Sequence, residues 1–332
     1  MIQSVLIEIR PGLRTCSVCI VLKDELKDAR VRVRNDKAVL RVDDQELTIP
    51  FGDLKVEPLT MTCFSVEKRC VNFRVGVESC PKIEQSPRVK RVLPVHVNEV
   101  TKLLCKCGCP ITDDVVFKRV LPLPSHGLEV ADMFCHYDNH MTTSLTPRTN
   151  DCLYGIHYIS VNRELLKNVK LTSLIKCRRC FACLGLCKKD AVQLWNSCLD
   201  LPHENLSPVE EFKRIVRNAV EESFMIFLKI FLECVENNNG LLISVMDKQL
   251  IVARSEENLK LRTSNVLKIK YEYHKTNPNL KRLLEKEDIQ CIEVPSIVMN
   301  EGFEFLMKST EAIPPMFRTV DGELMAYLEI ST

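Results

Sequence analysis

Ten of the chain's 17 cysteines fall between Cys105 and Cys198, and most of them stand in tight groups. The first group is Cys105-Lys-Cys107-Gly-Cys109-Pro. The second is Cys177-Arg-Arg-Cys180-Phe-Ala-Cys183-Leu-Gly-Leu-Cys187. Thiolates at C-x2-C spacing come off a tight turn, and a following glycine lets backbone N–H groups face the sulfurs, which is the geometry of a zinc knuckle. Cys177 and Cys180 have that spacing and Cys107-Gly108 carries the glycine. The ligand set read from the spacing is Cys107, Cys177 and Cys180 with Cys105, or Cys109 in its place. Four thiolates close a tetrahedral site, so the expected role of the zinc is structural.

Other thiols read differently. Cys16-Ser-Val-Cys19 also matches C-x2-C, but its flanks favour a strand, where positions three apart point to opposite faces. These two are expected in the core. Cys135-His136 and nearby His140 lie in a proline-bounded stretch between Leu121-Pro-Leu-Pro124 and Pro147, a segment that could project from the cysteine-rich module. A second closed metal site there would have to recruit Cys152, Cys183 or Cys187. No glycine-rich phosphate loop, nucleophile elbow or H-E-x-x-H helix appears.

The elements that must position these residues follow from patterning. With 332 residues, 46 basic and 44 acidic, the chain can bury a sizeable core and is near neutral. That balance argues against nucleic-acid binding by bulk charge. No apolar run approaches membrane-spanning length, and the first ten residues read as a strand and not as a signal peptide. An odd number of cysteines without a secretory leader favours metal ligation over disulfides, and a cytoplasmic, possibly also nuclear, setting.

Alternation at Val5, Ile7 and Ile9, at Val31 and Val33, and through Val39–Val42, Leu47–Ile49 and Val71–Val77 predicts a β-rich N-terminal domain over 1–100. The basic run Arg88-Val-Lys-Arg91 reads as a solvated connector. A cysteine-rich zinc-binding module over 101–198 follows, with a projecting loop at 121–152. Ser207-Pro-Val-Glu210 is a capping box with proline at the first helical position. Apolar residues from Val209 through Phe212, Ile215, Val220, Phe224, Phe227, Phe231 and Cys234 then recur at helical spacing, so one long amphipathic core helix is expected up to Asn237–Gly240. A hairpin at 241–253, a strand at 266–273, helices near 277–287 and 296–308 and a closing strand at 317–330 complete a C-terminal region over 199–332. The fold class read from this is α+β, with an inserted zinc-knuckle module between a β-rich half and a half built on the long helix.

In order along the chain come Cys107-Gly, Arg119-Val-Leu-Pro-Leu-Pro-Ser125, Cys135-His136, Asn150-Asp-Cys152-x2-Gly155 and Cys177-x2-Cys180-x3-Leu184-Gly185. Together they resemble the HECT-like ubiquitin-conjugating-enzyme-binding family of small ubiquitin-protein ligases. The family's first knuckle is usually C-x2-C-G, and here Cys105 is displaced by one. The resemblance implies a cysteine that accepts ubiquitin from a conjugating enzyme and passes it to substrate proteins for degradation. Beyond the metal cluster the candidate thiols are Cys198, Cys234 and Cys291, of which Cys198, in a loop before Pro202, is the one expected to be exposed. The resemblance also implies a second role, binding the metallo-β-lactamase-type endonuclease of pre-mRNA 3′-end processing. There Cys135, or else His136 or Cys152, would coordinate the nuclease's metals and block its site. A non-catalytic chaperone or inhibitor of that nuclease is the alternative to the ligase.

Overall fold

The computed structural model describes residues 2–25, 29–42, 45–81, 88–91, 93–123, 146–188, 191–201, 206–225, 227–255, 260–275 and 289–330. They form two compact units, each discontinuous in sequence. One comprises 1–87, 244–271 and 306–332, and the other 88–243 and 272–305.

The first unit is a large sheet. The alternation that starts at Val5 forms the strand Ile2–Arg10, which pairs antiparallel with Thr15–Leu22. That strand pairs with Cys70–Ser79, and Cys70–Ser79 with Lys55–Glu67. On the other side of Ile2–Arg10 follow Asn239–Ser255, Arg262–His274 and Glu323–Glu329. A separate three-stranded meander of Ala29–Arg34, Lys37–Val42 and Gln45–Pro50 closes over it, turning at Asn35-Asp36. Because strand side chains alternate, Ile7 and Ile9 enter one apolar cluster and Leu6 the cluster on the opposite face. Cys16 and Cys19 divide the same way and are both buried.

On the Leu6 face sits a buried carboxylate, Glu8. It accepts from Lys268 Nζ at 2.7 Å, from Arg10 Nη2 at 3.0 Å and from the Tyr327 hydroxyl. Burial alone would raise Glu8, but Lys268, Tyr327 and Arg10 outweigh it and hold the carboxyl below its ordinary value of 4.5.

The second unit carries a seven-stranded sheet in the order Arg119–Pro122, Asp151–Tyr154, Tyr158–Asn162, Ala191–Trp195, Cys183–Lys188, Leu174–Cys177 and Val169–Leu171. Its core includes Val120, Cys152, Ile159, Val161, Ile175, Val192 and Leu194. The helix Pro208–Glu222 begins as the capping box requires, with Ser207 Oγ accepting from the Glu210 N–H at 3.2 Å. It also ties down the basic connector. Arg91 bonds Glu222 at 3.2 Å, Arg214 donates to the Lys90 carbonyl at 2.9 Å, and Glu221 accepts from the Val89 N–H at 2.9 Å.

Three expectations are corrected here. The fold is predominantly β, and its described α-helices are Pro208–Glu222 and Ser296–Glu311. The long amphipathic helix does not exist: the chain leaves helical geometry at Ser223 and re-enters regular structure as the strand Lys229–Cys234, paired in parallel with Ile289–Val294. Phe224 and Phe227, read as core positions, are 103% and 81% exposed. The apolar stripe was a helix followed by a fully buried strand, and Ile230-Phe231-Leu232 is a run whose periodicity cannot separate the two. The expected hairpin at 241–253 is likewise a single strand, Asn239–Ser255. The region near 277–287 lies outside the described residues.

Glu8 generates an acid-stability prediction. Its folded value is depressed, so its contribution is fully present above about 4.5 and is lost as the pH falls through the lower folded value. Glu8→Gln leaves Lys268 without its buried counter-charge and costs about 3 kcal/mol or more near neutral pH. Urea titrations at several pH values should show this loss shrinking toward pH 3 as the wild-type carboxyl becomes protonated.

Candidate metal centre

Two turns far apart in sequence build the centre. The first follows Leu104–Cys105, a short strand paired with Leu199–Asp200. Here the Gly108 N–H bonds the Cys105 carbonyl at 2.7 Å, and the Cys105 N–H bonds the Cys109 carbonyl at 2.9 Å. Gly108 takes φ +77°, the left-handed conformation that favours glycine. The second turn joins Leu174–Cys177 to Cys183–Lys188. Its Arg179 N–H points at Cys177 Sγ, 3.4 Å away. Phe181 occupies the left-handed position, with φ +60°, where the other turn has glycine, and is 75% exposed. A non-glycine side chain there costs about 1–2 kcal/mol. Arg179 then crosses between the turns, donating to the Cys107 carbonyl at 3.2 Å, and Asn168 donates to the Pro110 carbonyl at 2.9 Å.

The turns bring Cys105, Cys107, Cys177 and Cys180 together, with all four sulfurs within 4.8 Å of one another. Cys105 lies 3.6 Å from Cys180, and Cys107 3.8 Å from Cys177. A tetrahedral ion with metal–sulfur bonds of about 2.3 Å sets its ligands about 3.8 Å apart, the spacing of the two closest pairs, so the cluster can close on a metal by small side-chain shifts. Cys109 stands outside the quartet, its sulfur 3.8 Å from the Pro110 carbonyl. Burial works against the Cys177 thiolate, but the N–H groups of Cys180 and Arg179 and the thiols of Cys107 and Cys180 bring it down to about 7. No second group of three or more ligands converges among the described residues.

The R-V-L-P and N-D-C motifs prove to be one structure. Arg119–Pro122 and Asp151–Tyr154 run parallel, with Arg119 opposite Asp151. Arg119 grips Asp151 with two bonds, Nε at 2.8 Å to Oδ1 and Nη2 to Oδ2, and the Arg148 N–H adds a third at 3.1 Å. Arg119 leads the influences on Asp151, and together with Arg148 it holds the carboxyl down against burial. The segment 124–145, with Cys135 and His136, lies outside the described residues; in the chain it falls between Arg119 and Asp151, the two members of this clasp.

Of the remaining candidates, Cys152 is fully buried in the strand next to the clasp, and burial pushes its thiol up to about 12. Cys198 is half-buried in the short turn Asn196–Cys198, and burial followed by Glu211 pushes it up to about 12. Cys234 is buried, whereas Cys291 is exposed. A thiol that sequence reasoning passed over is Cys70. A hydrogen bond from the Cys19 thiol, offsetting burial and Glu67, brings this buried thiol down to about 7, and it lines a cleft of about 780 Å³ with Lys68, Arg69, Arg318 and the carboxylates Glu25, Glu67 and Glu311. The register that sets it beside Cys19, with Val21 opposite Cys70 and Cys19 opposite Asn72, has no signature in spacing.

The model of the family described as HECT-like ubiquitin-conjugating enzyme (E2)-binding matches residues 8–324. The chain belongs to that family. It is similar to a Mus musculus protein named as an E3 ubiquitin-protein ligase, 33% identical over 120 residues, 35% of this chain and 32% of that protein. The Rattus norvegicus protein of the same name is 33% identical over 96 residues, 27% of this chain and 26% of the relative. The Bos taurus one is 22% identical over 276 residues, covering 68% and 71%. The matched stretches thus span about a third and a quarter of the rodent relatives' length. No solved structure matches the chain.

The purified protein should carry close to one equivalent of a thiol-preferring divalent metal by elemental analysis. Cys177→Ser should lose it and lower the melting temperature of the protein. Chelation at neutral pH should reproduce that loss, because metal binding of this kind contributes about 10–16 kcal/mol to folding.

Proposed function

We propose that this member of the HECT-like E2-binding family is a ubiquitin-protein ligase whose own cysteine carries ubiquitin between a conjugating enzyme and substrate lysines. The observation that carries the reading is the family match over residues 8–324, to which the names of the mammalian relatives add weight. A cysteine thiolate attacks the carbonyl carbon of the conjugating enzyme's ubiquitin thioester. A new carbon–sulfur bond forms and the enzyme's thiolate leaves. A substrate lysine amine then attacks the new thioester, the amide forms, the cysteine thiolate is regenerated and the amine's proton passes to solvent.

The nucleophile must be a thiolate near neutral pH. Outside the metal cluster, Cys70 is the described thiol whose value is lowered; it is buried, beside a cleft lined by Lys68, Arg69 and Arg318 and equally by Glu25, Glu67 and Glu311. Either thiol must come further to the surface to react, and Cys198 is in addition held protonated by burial and Glu211. The reading therefore takes Cys70 as the acceptor. In the same reading the bound metal is zinc, which holds the two turns together and leaves no open position for chemistry. The protein then acts in the cytoplasm, and in the nucleus if the second role holds.

That second role is to bind the 3′-end-processing endonuclease and block its metals with Cys135. The clasp of Arg119 on Asp151 supports it, because it joins the two strands between which the segment with Cys135 lies in the chain.

Mixing the protein with a ubiquitin-charged conjugating enzyme should yield a reductant-sensitive ubiquitin adduct within one turnover. Cys70→Ser should remove that adduct, and Cys198→Ser should keep it. If the wild-type chain forms no adduct while folded and metal-loaded, covalent transfer is wrong and a non-catalytic binding role replaces it.

Cys135→Ala should reduce inhibition of the purified endonuclease at least tenfold and leave the ubiquitin adduct unchanged. Equal inhibition by variant and wild type would remove Cys135 from the nuclease reading.

A further inference from the structure

From Leu165 to Lys188 the chain carries the cations Lys167, Lys170, Lys176, Arg178, Arg179 and Lys188 and no acidic residue, and every residue of that run is described. Lys167 is matched by Asp113, and Lys188 by Glu293. The other four are exposed and have no carboxylate partner among the described residues. Glu236 and Lys176 both act on the Cys183 thiol, and the Glu236 carboxylate is taken up by the Ser296 N–H at 2.8 Å. The four cations gather on the hairpin of Val169–Leu171 and Leu174–Cys177 and on the knuckle turn that follows it. Lys170 and Lys176 are direct cross-strand partners on the exposed face, and Arg178 reaches back from the turn, its Nε donating to the Val169 carbonyl at 3.0 Å.

Two features of this place are unfavourable in themselves. Like charges set directly opposite each other across a strand pair repel. Beside them Phe181 holds an exposed aromatic ring at φ +60°, a conformation that disfavours any side chain. Local strain of this kind persists where a function retains it. Lysine on an edge strand guards against strand addition, and Val169–Leu171 is the edge of its sheet, which accounts for Lys170. That role accounts neither for Lys176 on the next strand inward nor for an apolar ring in the turn.

We infer that the hairpin and its knuckle turn bind a single strand of RNA, with a base stacked on the Phe181 ring and phosphates held by Lys170, Lys176, Arg178 and Arg179. An aromatic ring accepts any base by its π-face, and neighbouring cations follow the backbone. Each guanidinium keeps N–H groups beyond its one bond to a carbonyl, in the fork geometry that suits phosphate. An acidic peptide would satisfy the cations and leave the ring without a role. A duplex hides its base faces, whereas unpaired RNA bases are commonly splayed onto aromatic side chains. The chain's net charge is only +2, so the attraction is local and the site short, about four nucleotides. The inference stands apart from the ligase reading, because it needs neither a conjugating enzyme nor an acceptor thiol.

The test uses the metal-loaded full chain and a short fluorescein-labelled RNA of mixed sequence that cannot pair with itself. Its controls are the same RNA as a duplex, the same sequence as single-stranded DNA, and a polyglutamate peptide. The single strand should bind at least tenfold tighter than the duplex or the peptide, and at least as tightly as the DNA. Its affinity should fall with salt at a logarithmic slope of about −3, the value for four phosphate contacts on a single strand. Lys170→Glu and Lys176→Glu should each weaken it several-fold and flatten that slope, and the double variant should weaken it at least tenfold. Each single variant sets a carboxylate opposite a lysine, so its melting temperature should not fall. Phe181→Gly should weaken binding at least fivefold while the melting temperature holds or rises, because glycine is at ease in the left-handed conformation. Phe181→Tyr should bind as wild type. Duplex bound as tightly as single strand, or Phe181→Gly or the double lysine variant binding as wild type, would overturn the site. Polyglutamate bound as tightly as RNA, or DNA bound more tightly than RNA, would overturn RNA as the occupant.

Discussion

The second unit depends on the meeting of four sulfurs from two turns about seventy positions apart in the chain. Packing alone gives weak reason for such a meeting. Thiols are poor hydrogen-bonding groups, and two or more of them as thiolates repel one another. The surroundings are nonetheless arranged for negative sulfur: N–H groups of the second turn face Cys177, and Arg179 spans to the first turn. A central cation would satisfy that arrangement and would tie the short strand Leu104–Cys105 to the turn after Leu174–Cys177 through one inorganic bond set.

How far the sequence could be read depended on the range of the interaction. Alternation fixed the N-terminal strands because one face of each is buried, and Ser207-Pro208 marked the helix start because capping is local. The cysteine spacing pointed to the quartet for the same reason, since each knuckle is a turn of a few residues. The end of the helix was not legible. Phe224, Phe227 and Phe231 keep helical spacing, yet the first two face solvent and the third lies in a strand whose partners come from elsewhere in the chain. Long-range pairing overrode a local pattern, as it did where Asp247-Lys248 looked like a turn and is continuous strand.

The same distinction runs through the functional residues. Arg119 and Asp151 looked like members of two separate motifs, and only parallel strand pairing shows them to be one clasp. Cys70 had no motif at all, because the hydrogen bond that lowers its thiol comes from Cys19 on the adjacent strand. Phe181 at a left-handed position is the reverse case. A glycine there would have advertised the knuckle, and the chain instead keeps an exposed aromatic ring at a conformational cost.

The parallel pairing beside the clasp carries an architectural consequence. A parallel pair always requires a long connection to bring the chain back to the start of its partner strand, so the stretch between them is exempt from the length limits of a hairpin. Closure entropy grows only slowly with loop length, about 0.6 kcal/mol per doubling. The scaffold on either side therefore tolerates large changes in what it carries. In evolutionary terms the position is a graft point, where the connection between the two strands can be lengthened, shortened or exchanged while the sheet stays the same.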